Sequence, residues 1–452
     1  MKEGFISIDR FGEGLIVLKP DYYLNPGKKI ISDIIDSGAS YYTLDEIVKD
    51  IYQGGIFRRI FIEEGVNSKF YITATDMMKN NPFDSAKNIS LKYTPWLQEM
   101  TLKENQILVS CAGTVGNSFL VNNTVSGHIG SADIIRLDNL KIPFGFIYAY
   151  ISCSTINHYI QSMVYGAVIP RISPKELGSL PILSFEKTII DKIHKKIVKS
   201  KALRESAFLL MNEALKYFDH LSINYKYGSH ISRNIPVDSI NDKYKRLDAS
   251  NAITTERLKK EFARKNVSSV KISSVADKIF IGPRTKRIYL ESGTPFLTTS
   301  IMQKSNPTKA DRFLSKKNAS EYLVKEGWIL TTRSGTLGDT VMTLPCMNNF
   351  GVSEDAIRIQ ISNSSKVSNL YVYAFLKSKM GKSALLSGSY GAVVLHLNEE
   401  YVGDIDLPIL DDDTIGKIEN NIKEHINLLN KAIVLENEAI TLVDKEIEEW
   451  HK

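Results

Sequence analysis

The chain has 452 residues, of which 43% are hydrophobic and 24% charged, and its formal net charge is +6. This length suggests about three domain-sized units, and the composition excludes a mostly disordered or fibrous protein. The longest apolar stretch, residues 143–152, is about half as long as a membrane-spanning helix, and the first residues do not form a signal peptide, so we expect a cytoplasmic protein. The three cysteines, Cys111, Cys153 and Cys346, lie too far apart in sequence to indicate a zinc site or a disulfide framework.

Charge is distributed unevenly along the chain. Residues 1–400 carry 52 basic and 38 acidic side chains, whereas residues 401–452 carry 5 and 13. The densest basic stretch is residues 251–350, with 17 basic and 8 acidic side chains. Lysine and arginine that neutralise phosphates supply most of the non-specific affinity for DNA. The pattern therefore favours a body that binds a polyanion and an acidic end that contacts protein, with an ordinary solvated surface as the alternative.

The chain contains an internal repeat of about half its length. Six segments recur in the same order at offsets of 222 to 228 residues. The matched pairs are residues 44–61 with 272–289, 71–75 with 296–300, 113–116 with 335–338, 133–136 with 355–358, 165–168 with 390–393 and 180–183 with 407–410. Matches in a conserved order predict two globular units of the same fold, each followed by a helical segment.

Short β-rich runs and amphipathic stretches alternate within each unit. Runs rich in β-branched residues at 106–110, 133–137, 328–332 and 356–360 are bounded by turn residues and predict strands. Spaced aromatic and aliphatic residues at 143–165 and 369–387 predict amphipathic helices. The expected fold class is mixed α/β (α+β), with an irregular sheet in each unit.

A different periodicity follows each globular unit. Large aliphatic residues between Ile415 and Trp450 recur at alternating spacings of three and four, with Glu436 as the polar exception. Such spacing predicts a coiled-coil helix of about five heptads. A similar stripe runs from Ile190 to Tyr217 with a change of phase near Ser200. Either helix alone would expose its stripe, so we expect the two helices to pack on one another rather than on unrelated surfaces. The predicted seam residues are Ile190, Ile193, Ile197, Ile418, Ile422, Leu429 and Ile433.

These patterns predict four segments. The first domain would span residues 1–184, a central helical spacer residues 185–222, the second domain residues 223–410, and the C-terminal coiled-coil helix residues 411–452.

Two glycine turns and the basic residues of each unit are the candidates for DNA contacts. Gly113–Gly116 and Gly335–Gly338 each follow a strand, and different residues precede the two turns, as expected for two domains of one shape that read different sequences. Arginine pairs best with guanine, and asparagine or glutamine with adenine. The candidates are Gln53, Arg58, Arg59, Lys79, Arg284, Lys286, Arg287, Lys304, Lys309, Arg312, Arg333 and Ser334. Contact with phosphates is the alternative role for each of them.

One short motif raises the alternative of an enzyme that acts on nucleic acid. Asn80–Phe83 is similar to the Asn-Pro-Pro-aromatic signature of DNA amino-methyltransferases, but its middle position differs, and we interpret it as a turn. No phosphate-binding loop, dinucleotide fingerprint or zinc-protease motif occurs in the sequence. His128 and His396 lie in or near repeated segments and are interpreted as structural or surface residues.

In this organisation the chain resembles the specificity subunits of type I restriction-modification systems, over nearly its whole length. Several short motifs carry the likeness. They are Lys245-Arg-Leu-Asp248, the turns at Gly113 and Gly335, Tyr165-Gly-Ala, Tyr390-Gly-Ala, and the Leu-Pro pairs at Leu180 and Leu407. The chain departs from the family where a Pro-Glu-Gln usually opens each helix, because Phe185-Glu-Lys187 and Asp412-Asp-Thr414 stand there.

The resemblance implies a non-catalytic subunit of a prokaryotic defence complex. Two target-recognition domains would read the half-sites of a bipartite DNA target, and antiparallel helices would set the spacing between them. The implied partners are double-stranded DNA, DNA adenine methyltransferase subunits and restriction or translocase subunits, without a membrane. No cofactor is expected on this chain, since S-adenosylmethionine, ATP and magnesium would bind the partner subunits. The alternatives are the specificity subunit of a fused type IIB/IIG-like enzyme and a non-enzymatic DNA-binding scaffold.

Overall fold

The computed structural model describes residues 20–166, 168–219, 221, 258–391 and 393–452. The chain divides into two compact units, with residues 1–205 and 431–452 in unit 1 and residues 206–430 in unit 2. Two long helices contribute to both: the central helix, Lys187–Asp219, and the C-terminal helix, Asp412–Trp450. The prediction gave each helix a segment of its own. The compact units divide both helices, because each helix packs part of its length on one globular core and part on the other, and the four-segment division stays a prediction. Lys245–Asp248 lie outside the described residues.

Within its described residues, unit 1 contains nine strands in three small sheets. The strands are β1 Tyr41–Thr43, β2 Val48–Gln53, β3 Ser68–Ile72, β4 Lys87–Ser90, β5 Ile107–Ser110, β6 Ser118–Leu120, β7 Ile129–Gly130, β8 Ile134–Leu140 and β9 Pro181–Leu183. One sheet is antiparallel in the order β2-β8-β5-β6, and β1 pairs antiparallel with β9. The third has the order β4-β3-β7, with β3 and β7 parallel.

The strands described in unit 2 repeat this topology one for one. They are β10 Ser268–Lys271, β11 Ala276–Ile281, β12 Thr294–Leu297, β13 Phe313–Leu314, β14 Ile329–Thr332, β15 Thr340–Met342, β16 Gly351–Val352, β17 Ala356–Ile361 and β18 Asp406–Ile409. The sheet orders are β11-β17-β14-β15, β13-β12-β16 and β10-β18, with β12 and β16 parallel. The predicted tandem repeat of mixed α/β units is therefore confirmed.

Shorter helices cover the sheets of both units. Those described in unit 1 are Pro20–Tyr23, Pro26–Asp36, Leu44–Ile47, Leu97–Met100, Phe144–Ser152, Ser154–Ser162 and Pro174–Gly178. Unit 2 has Ile272–Val275, Thr299–Met302, Lys316–Ala319, Asn369–Lys377, Lys379–Ser387 and Glu399–Gly403. Each predicted amphipathic stretch forms two helices, separated by Cys153 in unit 1 and by Ser378 in unit 2, which adopt extended backbone at matching positions. Within the described ranges, no helix is long and apolar enough to cross a membrane.

The two long helices pack antiparallel within each unit. In unit 1, Ile193 and Ile197 share the core with Ile440 and Val443, and Lys196 forms an ion pair with Glu438. Other parts of the same helices share the core of unit 2. Of the predicted seam residues, Ile190 is half-buried and packs on the core of unit 1. The remainder, Ile193, Ile197, Ile418, Ile422, Leu429 and Ile433, are buried.

The predicted change of phase near Ser200 is wrong. The central helix keeps one seam of alternating three- and four-residue steps, at residues 193, 197, 200, 204, 207, 211, 214 and 218. Two of these positions are polar: Ser200 donates to the carbonyl of Ala432 at 2.8 Å, and Arg204 lies 2.6 Å from Glu436. Because polar residues occupy seam positions, the stripe of apolar residues in the sequence moves to positions beside the seam, and its apparent phase changes.

A buried histidine in unit 2 should make stability depend on pH. The Nδ1–H of His425 donates to the carbonyl of Ala207 at 2.7 Å, and burial lowers the pKa of His425 to about 4. As pH falls from about 6.5 to about 4, the unfolded state takes up a proton that the folded state does not, so the free energy of unfolding should fall by up to about 3 kcal/mol. Denaturant titrations at pH 7 and pH 4.5 measure the effect.

The H425N variant separates this histidine from other acid effects. It should lose most of the difference between the two pH values, whereas H158N, at an exposed position, should retain it. An unchanged pH dependence in H425N would show that His425 is not responsible.

Candidate nucleic-acid interface

An extended segment adds to the edge of the three-stranded sheet in unit 1. Residues 54–60 leave β2 without regular structure, and Phe61 forms a β-bridge with Ile89 of β4. Backbone hydrogen bonds of 2.9 Å on either side of the bridge hold residues 60–62 against β4. The segment therefore carries Arg58 and Arg59 along the sheet edge, where both are exposed.

Basic and aromatic side chains alternate along this edge. The guanidinium of Arg59 lies 5.9 Å from the ring centre of Tyr71, and the Nζ atoms of Lys87 and Lys92 lie 5.5 and 5.4 Å from the rings of Phe61 and Tyr93. Positive groups interleaved with exposed rings are typical of surfaces that contact phosphates and stack on bases. We call this set the basic-aromatic edge of unit 1, formed by Arg58, Arg59, Phe61, Lys87, Lys92, Tyr93 and Trp96.

Unit 2 places a second basic-aromatic edge at the same point of the fold. The segment after β11 carries Arg284, Lys286 and Tyr289, and its Leu290 bridges Phe313 of β13. Arg312 lies 5.1 Å from the ring centre of Tyr289. The basic-aromatic edge of unit 2 consists of Arg284, Lys286, Arg287, Tyr289 and Arg312.

A buried arginine fixes the start of the extended segment in each unit. Arg136 of β8 donates from Nη2 to the carbonyl of Gly130 at 2.8 Å and from Nη1 to that of Ile134 at 3.0 Å. Arg358 of β17 donates to backbone carbonyls in the same way, and burial lowers its pKa to about 10.

Close packing against buried side chains explains the glycine at the start of each segment, with the arginine as the nearest neighbour in unit 2 and a methionine in unit 1. In unit 2, a Cβ added at Gly282 would lie 2.7 Å from Nη1 of Arg358. In unit 1, a Cβ at Gly54 would lie 2.3 Å from the Met100 sulfur and 3.3 Å from Nη1 of Arg136. Contacts this close are not available to a larger residue. The two extended segments therefore begin at equivalent positions that are fixed by packing.

The two units differ in the residue that faces a matching arginine of the edge. Arg287 of unit 2 corresponds to Arg59, and Glu354 corresponds to Ala132 of unit 1. Both terminal nitrogens of Arg287 bond to the carboxylate of Glu354, with Nη2 3.2 Å from Oε1. Although burial of Glu354 favours the neutral carboxyl, the hydrogen bonds from Arg287 hold its pKa below the usual value. Arg59 has no carboxylate oxygen within 4.0 Å among the residues that the structure describes.

The structure gives the predicted DNA-binding residues of unit 1 different surroundings. Arg58 and Arg59 lie exposed on the edge, but the side-chain amide of Gln53 donates to the carbonyl of Ala132 at 2.5 Å. Lys79 is half-buried, next to the 3₁₀ helix Asp76–Met78.

In unit 2 the predicted residues also separate into groups. Arg284, Lys286 and Arg312 are exposed on the edge, and Arg287 is paired with Glu354. The other four lie elsewhere in sequence: half-buried Lys304 and exposed Lys309 between the helix Thr299–Met302 and β13, and half-buried Arg333 and Ser334 before the Gly335 turn.

In each unit, β-bridges to a single residue join the segments that carry the two repeated glycine motifs. Ala112 and Tyr165 both bridge Arg171 in unit 1, and Ser334 and Tyr390 both bridge His396 in unit 2. Ser334 Oγ lies 2.9 Å from Nδ1 of His396.

A tight turn at a glycine gives the loop beside these bridges its shape. Gly166 has φ +91° and Gly391 has φ +107°, and a Cβ at either would lie 2.4 Å from a backbone oxygen. Beyond each glycine an apolar tip projects, with Val168 92% and Val393 96% exposed. These motifs therefore determine loop shape and place apolar rather than basic groups at the tip.

Sequence reasoning missed five residues of the unit 1 edge: Phe61 on the extended segment, and the later residues Lys87, Lys92, Tyr93 and Trp96. The signal that could have found the later four is the interleaving of lysines and aromatic rings between residues 87 and 96. The ring of Trp96 lies over Gly55, where an added Cβ would be 2.4 Å from it, so the edge and the extended segment pack together.

The methyltransferase-like motif is a turn, as interpreted from the sequence. Pro82–Asp84 form a 3₁₀ helix, and the side chain of Asn81 caps it by accepting from the Phe83 N–H at 3.1 Å. Asn81 also donates to Asp84 at 2.8 Å. Across the described ranges, no group of three or more His, Cys, Asp or Glu side chains is arranged to hold a metal ion.

Comparison with known proteins gave matches among solved structures. The chain is similar to the S subunit of a type I restriction-modification system from M. genitalium, with 13% identity, coverage of 92% of this chain and 96% of that chain, and a TM-score of 0.33. It is also similar to the HsdS subunit from Thermoanaerobacter tengcongensis, with 12% identity, 90% and 96% coverage, and a TM-score of 0.29.

A third structure concerns complex assembly and conformational transition of the type I R-M system, and it shows 12% identity, 91% and 97% coverage, and a TM-score of 0.29. No family model matches the chain, and no curated protein matches it significantly.

Proposed function

We propose that the chain is the DNA sequence-recognition subunit of a type I restriction-modification complex and that it is not itself catalytic. One observation carries the proposal: two units of the same topology present a basic-aromatic edge at the same point of the fold, with different side chains at matching positions. A protein that reads a bipartite target needs two surfaces of one kind that discriminate different bases.

The chemistry of the edges supports DNA as the ligand. Exposed Arg58 and Arg59 in unit 1, and Arg284 and Lys286 in unit 2, supply the charge that neutralises phosphates and makes binding salt-dependent. The arginines also supply the donor pairs that recognise guanine in the major groove. Because the two units share a backbone geometry but differ in side chains, each unit would recognise its own half-site.

Partner subunits would supply the reaction chemistry. The acidic balance of residues 401–452, with 13 acidic and 5 basic side chains, favours contact with protein rather than with DNA. The proposed partners are adenine methyltransferase subunits and restriction or translocase subunits, which would bind S-adenosylmethionine, ATP and magnesium. The proposed location is the cytoplasm, where the host DNA lies.

The experiment that tests this proposal combines affinity capture with methylation mapping. The tagged full-length chain is captured from its native host, co-purifying proteins are identified by mass spectrometry, and N6-methyladenine is mapped genome-wide in the host with and without the chain. We expect an adenine methyltransferase to co-purify, and methylation at one bipartite motif to vanish when the chain is deleted. Recovery of no methyltransferase together with unchanged methylation would refute the proposal.

A further inference from the structure

We propose that Glu354 is a positioning residue that makes unit 2 selective at one base of its half-site, by holding the guanidinium of Arg287. The inference rests on the proposed function and names a determinant within it. Unit 1 has Ala132 at the matching position, so no carboxylate there holds the corresponding Arg59, whose side chain instead forms a hydrogen bond with Tyr71.

The contacts of Arg287 fix the orientation of its guanidinium plane. Both terminal nitrogens bond to Glu354, while the rings of Phe296 and Tyr322 lie 5.2 and 5.8 Å from the guanidinium carbon. The side chain of Arg287 is 21% exposed and that of Glu354 only 8%. Arg287 is therefore immobilised at the edge but still reachable by a ligand.

Such an arrangement favours discrimination over affinity. A guanidinium with a fixed plane presents its remaining N–H donors in fixed directions, so a base whose acceptors lie elsewhere leaves those donors unpaired. The Glu354 carboxylate also lies 3.9 Å from Arg284 and offsets positive charge that would otherwise attract phosphate. Guanine, with two adjacent acceptors on its major-groove side, is the base that an immobilised arginine fits best.

Unit 1 provides the natural comparison. Arg59 lies over Tyr71 at 5.9 Å, as Arg287 lies over Phe296, but the carboxylate is missing because residue 132 is alanine. The two units thus hold the same arginine in the same part of the fold under different constraints. Removal of the carboxylate from unit 2 should release the guanidinium of Arg287, because Phe296 lacks the hydroxyl with which Tyr71 bonds to Arg59 in unit 1.

The test compares two variants that each lose one negative charge in unit 2. Glu354→Ala removes the carboxylate that holds Arg287, and Glu291→Ala removes an exposed carboxylate from the same extended segment. Each full-length variant is expressed in the host in place of the native chain, and methylated adenines are mapped. We expect E354A to make one position degenerate in one half of the motif and leave the other half unchanged, while E291A retains the full motif.

A second readout separates positioning from simple structural damage. Affinity of the purified complex for a duplex without the motif should rise about three- to tenfold in E354A, because Arg284 and Arg287 become available to phosphates. Damage to the fold would instead lower affinity and weaken the whole half-site.

The outcomes distinguish the inference from the function on which it rests. A bipartite motif in the wild type that stays unchanged in E354A overturns the role of Glu354 and leaves the proposed function intact. Absence of any bipartite motif in the wild type refutes the proposed function. If E354A fails to fold, E354Q, which keeps the side-chain volume and loses the charge, decides the point: a degenerate position supports the inference, and an unchanged motif overturns it.

Discussion

Replacement of Arg204 by leucine should lower the free energy of unfolding of unit 1 by about 3–5 kcal/mol, because it leaves the Glu436 carboxylate buried without its cationic partner. The two side chains pair at 2.6 Å in the seam between the long helices, where Glu436 is 6% exposed, and the hydroxyl of Tyr148 donates to the same carboxylate at 3.3 Å. Hydrogen exchange of peptides from residues 187–205 and 431–450 measures the loss locally in the full-length chain.

Two further variants show whether the orphaned charge causes the loss. The double variant R204L/E436L should recover most of the stability, because an apolar pair of similar volume replaces a buried ion pair at little or no cost. The exposed pair of Lys216 and Glu213, 3.0 Å apart, provides the control, and K216A should change stability by less than about 0.5 kcal/mol. A double variant as unstable as R204L alone would contradict the explanation.

Removal of both Arg58 and Arg59 should weaken binding of the assembled complex to its DNA target by about 10- to 100-fold. Each exposed arginine on the unit 1 edge is expected to contribute about 1 kcal/mol or more through phosphate or base contacts. The slope of log affinity against log salt concentration should also fall by about 1.8, since two phosphate contacts are lost. Fluorescence anisotropy with a labelled duplex over a range of salt concentrations gives both quantities.

The matched control removes the same charge from elsewhere in unit 1. Lys195 and Lys199 are exposed on the central helix, which is not part of the basic-aromatic edge. K195A/K199A should leave the affinity within about twofold of the wild type. Equal losses in the two double variants would indicate a general effect of net charge and would argue against a DNA contact at the edge.

The architecture was predictable because the sequence contains two copies of the same pattern. Matches such as Gly113–Gly116 with Gly335–Gly338 lie at fixed positions of the repeated topology, just after β5 and β14. A single copy of each short strand would have been a weak signal, whereas the ordered repeat made the two-unit division clear. The central helix was harder, since Ser200 and Arg204 interrupt the apolar pattern although their side chains meet polar partners across the seam.

The sequence indicates where repeated basic pairs lie but not which other side chains hold them. The basic pairs Arg58-Arg59 and Lys286-Arg287 pointed to the extended segments because their repeat alignment was visible in the sequence. Which of these arginines remains available depends on contacts with residues distant in sequence. Arg287 is bound by Glu354, 67 residues away, and Gln53 is bound to a backbone carbonyl 79 residues away. Such partners are set by the folded structure, and no local pattern reveals them.

Unit 1 is built from two separate parts of the chain, and the ribosome therefore makes these parts at different times. Its core includes Ile440 and Val443 from the C-terminal helix, which pack with Ile193 and Ile197. A ribosome adding about 5–20 residues per second takes roughly 10–45 s to make residues 206–430, so unit 2 is complete before residues 431–452 emerge. The unit that is begun first is therefore finished last, and a ribosome that stops at residue 430 releases a chain in which unit 2 has all its residues while the core of unit 1 lacks residues 431–452.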